Sequence, residues 1–260
     1  MPPQERLTDG SGRFTRRRVI GSLGAAGAAA LAGWGDGGDG DGNGDGDGDG
    51  TGTGGDGGTP TPMEMQMGGE LIATFGADVA NFDPVRQNDT TSTKAFDNLI
   101  YEGLLSVDFQ GRPQPHLASS IDRQDDVTFT ANLREGVMFH NGTELTAQDV
   151  KASFERYQGT PRESDVYDWY ETSTVVDDYT LEIKLQEAYA PFRFNVGVPI
   201  VPQAVADGDI DLTENPVGTG PFKFVEHQPD SLFRIERNED YFGTDEDGNQ
   251  LPYLDGINIR

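Results

Sequence analysis

Of the 260 residues, 45 are acidic and 19 basic, which leaves a formal charge of −26, and there is no cysteine. A chain this acidic repels nucleic acid and anionic lipid surfaces, and without thiols it forms neither disulfides nor thiolate metal sites. The charge is uneven: residues 1–34 carry five Arg against Glu5 and Asp9, residues 35–62 carry seven Asp and no base, and residues 63–260 hold the remaining −22. With only four lysines, that last part has the composition of a halophile's protein, in which concentrated salt screens self-repulsion; an ordinary acidic secreted protein is the other reading.

Residues 15–20, Thr-Arg-Arg-Arg-Val-Ile, form a twin-arginine pattern ahead of a weakly apolar run over residues 21–32. This is the layout of an export signal, and the run is shorter than the roughly twenty apolar residues that span a bilayer. Leu31-Ala32-Gly33-Trp34 has the shape of a lipobox with Trp34 where the cysteine belongs, so a diacylglyceryl thioether cannot form there. Ala30-Leu31-Ala32 offers a small-residue cleavage site instead, and both release and retention through an uncleaved signal stay open. Residues 1–34 are therefore taken as a signal region and 35–68 as a disordered Asp/Gly/Thr/Pro tether that has almost nothing apolar to bury. As a random coil, its 28 lowest-complexity residues reach about 30 Å. Calcium binding by this tract is disfavoured, because no loop ends on a Glu and no nonapeptide repeat recurs.

The globular part opens with an expected strand over 70–75 and a loop over 76–91 that contains Phe82-Asp83-Pro84. Phe96, Leu99, Ile100 and Leu104 have helical spacing, which predicts a helix over 93–101. Val127, Phe129, Ala131 and Leu133 alternate with polar residues as a half-buried strand does. Gly136 breaks that pattern, Val137-Met138-Phe139 follows, and Asn141-Gly142 supplies a tight turn. Thr146 and Asp149 have capping-box spacing before a helix whose stripe is Ala147, Val150, Phe154 and Tyr157, with Gly159 to end it. A hairpin is expected over 174–185, turning at Asp177-Asp178. The glycines of Pro216-Val217-Gly218-Thr219-Gly220-Pro221 do not make a phosphate loop, since no Lys-Ser/Thr follows and a strand comes next. Asn88-Asp89-Thr90 and Asn141-Gly142-Thr143 are glycosylation sequons. His116, His140 and His227 lack metal-site spacing, and no Gly-x-Ser-x-Gly elbow is present, so neither a metal, a cofactor nor catalysis is expected.

LREGVMFHNGTELTAQDVKASFER, over residues 133–156, resembles the signature of the family 5 extracellular solute-binding proteins, the peptide- and nickel-type receptors of ABC importers. Before it FDPV and YEGLL with PHLASS, and after it NPVGTGPFKF and RNEDYFG with PYLDGI, appear in the family's order, so the resemblance covers about 69–260. It implies an α/β fold: a class II periplasmic-binding-protein-like lobe with a mixed β-sheet and a small inserted α+β subdomain over about 101–185. The implied function is non-catalytic capture of oligopeptides by a monomer that docks on ABC transporter permease subunits, held near the membrane by its tether. Nickel complexes, heme and sugars stay open as ligands, and a secreted hydrolase or a structural surface protein are the readings from other classes.

In the family the loop after Asp-Pro lines the cleft, which makes Gln87, Asn88 and Thr90 candidate contacts; their other role is as turn and cap residues of the next helix. Aromatics at the position of Tyr167, Trp169 and Tyr170 approach the ligand in the family; the other reading is that Trp169 simply caps the inserted subdomain. Residues 253–260 resemble the strand that precedes the crossover to a second lobe. On that resemblance the second lobe is absent, the chain is a fragment, and it binds no peptide with useful affinity alone.

Overall fold

The computed structural model describes residues 67–213 and 215–260. The signal region, the lipobox position Trp34 and the tether up to residue 66 lie outside the described residues. In chain order the elements are β1 (Glu70–Ala73), a 3-10 turn (Pro84–Arg86), α1 (Thr90–Phe96), β2 (Leu105–Val107), β3 (Pro113–Pro115), β4 (Ala118–Arg123), β5 (Thr128–Leu133) and α2 (Ala147–Glu155). Then come α3 (Ser164–Tyr167), β6 (Tyr170–Asp177), β7 (Thr180–Leu185), α4 (Phe192–Asn195), α5 (Gln203–Ala206), β8 (Phe222–Gln228), β9 (Leu232–Arg237) and β10 (Gly256–Ile259).

Two four-stranded sheets and a short ribbon of β2 and β3 carry the fold. The first sheet runs β1-β10-β9-β8 and is mixed, because β1 lies parallel to β10 while β10, β9 and β8 are antiparallel. Its apolar positions stack across the strands: Leu71 opposes Ile257, which opposes Ile235, and Ala73 opposes Ile259, which opposes Phe233. The second sheet, β4-β5-β7-β6, is wholly antiparallel and drawn from one continuous stretch of chain. On its buried face Phe129 opposes Ile183 and Ala131 opposes Leu181, the cross-strand pairing that the alternation in β5 and β7 requires.

α2 packs on the second sheet with Ala147, Val150 and Phe154 buried, and Tyr157, just past the helix, is buried too, each large side chain contributing about 1.5–3 kcal/mol of transfer free energy. The Asn141-Gly142 turn forms with Gly142 at φ +83°, and Gly159 lies just past the helix at φ +72°. At the helix start, Asp149 Oδ2 accepts both the Thr146 backbone N–H (2.8 Å) and the Thr146 hydroxyl (2.7 Å). Thr146 and Asp149 thus form the capping box that their spacing predicts. Asp149 Oδ1 is left to take the Gln203 N–H (2.7 Å), which fastens α5 to α2.

The first helix departs from expectation at both ends. It starts at Thr90 because Asp89 caps it, Oδ1 accepting the Ser92 N–H at 2.7 Å. After Phe96 the chain turns through Asn98 at φ +61°, and the Leu99 and Ile100 carbonyls accept from Phe222 N (2.9 Å) and Gly220 N (3.0 Å) instead of continuing a helix. That crossing is close: a Cβ on Gly218 would lie 2.0 Å from the Ile100 carbonyl oxygen, so no other residue fits there without moving backbone. The hairpin is longer than expected, since β6 begins at Tyr170, and β1 is shorter, ending at Ala73.

Candidate functional site

Two polar assemblies organise the surface around the candidate residues. The first surrounds Glu102, a carboxylate only 3% exposed, in the segment between α1 and β2. Its Oε1 meets His116 Nε2 (2.7 Å) and accepts the Tyr241 hydroxyl (2.7 Å), while Oε2 accepts the Thr219 hydroxyl (2.9 Å). Burial, then the facing carboxylate, raises the Tyr241 phenol far above its ordinary range, so it stays a donor. Beside this group, His140 Nε2 donates to the Gly220 carbonyl (2.9 Å) and Nδ1 faces the Gly218 N–H (3.4 Å). Burial lowers the His140 pKa to about 4, so the ring is neutral at neutral pH, as a donor on one nitrogen and an acceptor on the other require. Three separated segments, those of His116, Thr219 and Tyr241, are thereby tied to the Glu102 carboxylate.

The second assembly fixes the loop that carries Gln87, Asn88 and Thr90. Asp83 Oδ1 accepts the Val85 N–H (3.2 Å) and Oδ2 pairs with Arg156 Nη2 (2.8 Å), with both side chains mostly shielded. One residue on, the Pro84 carbonyl accepts from Arg162 Nη1 (3.1 Å), whose Nε donates to Asp165 Oδ2 (2.7 Å). The Tyr101 hydroxyl donates to the Phe82 carbonyl (2.8 Å) beneath. Arg156 therefore ties the loop to the end of α2, and Arg162 ties it to Asp165 in the α3 segment that carries Tyr167. Nearby, burial raises the Asp97 carboxyl against the opposing field of Arg162, and burial raises the Tyr157 phenol far above its usual value.

Within that frame the six candidates separate. Asn88 and Thr90 are exposed and Tyr167 is half-buried, so these three reach the surface. Gln87 is 2% exposed, and neither atom of its carboxamide has a hydrogen-bond partner among the described residues. Trp169 is fully buried: Nε1 donates to the Asp165 carbonyl (2.8 Å), and the ring sits edge-on to Phe154 (5.5 Å) and Phe192 (5.3 Å). Tyr170 is buried beside it, its hydroxyl 2.8 Å from Ser173 Oγ and its pKa pushed up to about 12 by burial. Thr90 and the adjoining Asp89 also serve as first helical residue and cap of α1. Sequence reasoning missed Arg156, Arg162 and Glu102. Nothing in the spacing of the three sets them apart from surface charges.

A mixed sheet interrupted by an antiparallel insertion, with a clamped loop at its first crossover, is the architecture of a periplasmic binding protein lobe. The model of the bacterial extracellular solute-binding proteins, family 5 middle region, matches residues 112–260, and the chain belongs to this family. The glutathione-binding protein GsiB of Salmonella paratyphi A is 29% identical over 199 residues, which are 74% of this chain and 38% of that protein. Among solved structures, DppA of Helicobacter pylori in complex with the peptide STSA superposes with a TM-score of 0.67 at 29% identity, covering 76% of this chain and 43% of DppA. The oligopeptide-binding protein AppA of Bacillus subtilis, in complex with a nonapeptide, superposes with a TM-score of 0.65 at 26% identity, covering 75% of this chain and 40% of AppA. The chain thus spans about two fifths of the length of the relatives it matches.

Proposed function

We propose that the chain contributes to the capture of oligopeptides outside the cell as part of the substrate-binding component of an ABC importer, without catalysis. Asn88, Thr90 and Tyr167 form its contact surface in this reading. The observation that carries it is the double arginine clamp: Arg156 on Asp83 holds the Asp-Pro loop to the end of α2, and Arg162 on Pro84 and Asp165 joins it to the segment bearing Tyr167. Exposed amide, hydroxyl and phenol groups held at the surface by a rigid base can pair with a peptide backbone while leaving side chains free to vary. The likeness to a tetrapeptide-bound DppA, a nonapeptide-bound AppA and a glutathione-binding GsiB supports the same ligand chemistry, since all three ligands present amide units. NikZ of Campylobacter jejuni, in complex with nickel and histidine, is 22% identical and speaks to the fold alone. Export by the twin-arginine signal and a position near the membrane set by the tether complete the proposal. With Trp34 at the lipobox, no diacylglyceryl anchor attaches there.

Hydrogen–deuterium exchange on the purified chain, with and without millimolar Ser-Thr-Ser-Ala or glutathione, tests it. Slowed exchange over 86–92 and 162–168 is expected. Unchanged exchange there, or protection confined to another face, would overturn the assignment.

A further inference from the structure

The two Asn-x-Thr sequons occupy different structural settings, and the difference bears on chemistry independent of which solute is captured. Asn141-Gly142-Thr143 forms the tip of a narrow loop, and all three residues are exposed. The loop closes by Phe139 N–H to the Thr143 carbonyl (2.8 Å) and Leu145 N–H to the Val137 carbonyl (2.8 Å). Its base is rigid, because the His140 N–H donates to the Gly218 carbonyl (2.8 Å) and the His140 ring is held against Gly220. At the tip, Asn141 Oδ1 accepts both the Thr143 N–H (3.1 Å) and the Thr143 hydroxyl (2.8 Å). The acceptor amide and the hydroxyl of the sequon are therefore adjacent, on a turn that projects into solvent, and Nδ2 forms no hydrogen bond among the described residues.

Asn88-Asp89-Thr90 is exposed at its first and last residues, but its backbone is committed. Asp89 is the cap of α1, Thr90 is its first helical residue, and the Asp89 carbonyl accepts from both the backbone N–H (3.2 Å) and the hydroxyl (2.9 Å) of Thr93. An enzyme that must seat the amide and the hydroxyl together would have to unwind the start of this helix.

We propose that Asn141 is an N-glycan acceptor in the folded protein and that Asn88 is not. The donor class is an oligosaccharide linked through phosphate to a polyprenol. In the transfer, Asn141 Nδ2 bonds to the anomeric carbon, the bond from that carbon to the phosphate oxygen breaks, the phosphate leaves with its electron pair, and the amide proton passes to a base of the transferase. The position is compatible with solute capture: Asn141 precedes α2 while Arg156 and Arg162 follow it, and nine helical residues at 1.5 Å each separate the two ends by about 13 Å.

The test incubates the folded full chain with a purified oligosaccharyltransferase and its polyprenyl-linked oligosaccharide, then reads intact mass and glycopeptides. One glycan on Asn141 is expected. It should be lost in Asn141→Gln and Thr143→Val, kept in Thr143→Ser, and unaffected by Asn88→Gln, with circular dichroism showing each variant folded. Chain denatured beforehand should accept glycan at both sequons, since unfolding frees the start of α1. Modification of folded protein at Asn88, or a failure to modify folded protein while a short Asn-Gly-Thr peptide in the same mixture is glycosylated, would overturn the proposal.

Discussion

Replacing Glu102 by Leu removes the acceptor on which three donors depend. The Tyr241 and Thr219 hydroxyls and the His116 ring nitrogen would each lose a partner at 2.7–2.9 Å, in a setting where Glu102 is 3% exposed and Thr219 is fully buried. An unsatisfied buried donor costs about 1–3 kcal/mol, and His116, at the edge, recovers part of its loss from water. Loss of about 3–5 kcal/mol follows, in line with the cost of removing one partner from a buried ionic network. For a domain of 150–250 residues each kcal/mol moves the melting temperature by about 2–4 °C, so Glu102→Leu should melt roughly 6–20 °C below the parent. Glu102→Gln is the discriminating companion. Its carbonyl oxygen can still accept from Tyr241 and His116, and its amide nitrogen can donate to Thr219 Oγ1, so its loss should stay near 1 kcal/mol. Urea and thermal unfolding followed by circular dichroism measure both. If the Leu variant loses less than about 1 kcal/mol, or the Gln variant matches it, the carboxylate does not hold these segments together as argued.

Gln87→Leu should stabilise the protein by about 1–2 kcal/mol, because it removes a carboxamide buried with both atoms unpaired; a lower melting temperature would show that the amide has a partner. Lowering the pH should destabilise the fold through His140: its folded pKa of about 4 lies below its ordinary 6.5, so its stabilisation is complete above 6.5 and is lost as pH falls toward 4. That loss amounts to at most about 3 kcal/mol; His140→Gln should flatten the pH profile, and an NMR titration placing the ring near 6.5 would contradict it. Finally, the charge of −22 over residues 63–260 predicts a melting temperature that climbs from about 0.1 M to molar KCl, and a flat response would remove the reading of a salt-adapted composition.

Local order was legible in the sequence wherever the forces are local. The β5 strand, the Asn141-Gly142 turn and α2 follow from alternation, positive φ and a 3.6-residue stripe, each readable within about ten residues. The limits of α1 were not, because its end is decided by Gly220 and Phe222, whose amides take carbonyls more than a hundred residues earlier in the chain. The same holds at the candidate site. Gln87, Asn88 and Thr90 were placed by a motif, but the arginines that clamp their loop act through the Asp83 side chain and the Pro84 carbonyl, and no spacing announces such contacts. Trp169 lay in an aromatic run with no clear period, so neither core nor surface could be read from its neighbours; the hydrogen bond to the Asp165 carbonyl and the rings of Phe154 and Phe192 account for its burial.

The pairing of β1 with β10 sets a timetable for folding. Glu70 lies opposite Gly256, so the mixed sheet cannot close until nearly two hundred residues have been laid out between its first two neighbouring strands. The β4-β5-β7-β6 sheet, by contrast, is contiguous in sequence over residues 118–185, and its longest closure, between Leu133 and Thr180, is far shorter. During synthesis the antiparallel sheet is therefore expected to form while β1 still waits for a partner, its backbone open to the wrong strand. Substitutions at Leu71 or Ile257 should therefore slow completion of the fold more than equally destabilising changes inside the contiguous sheet.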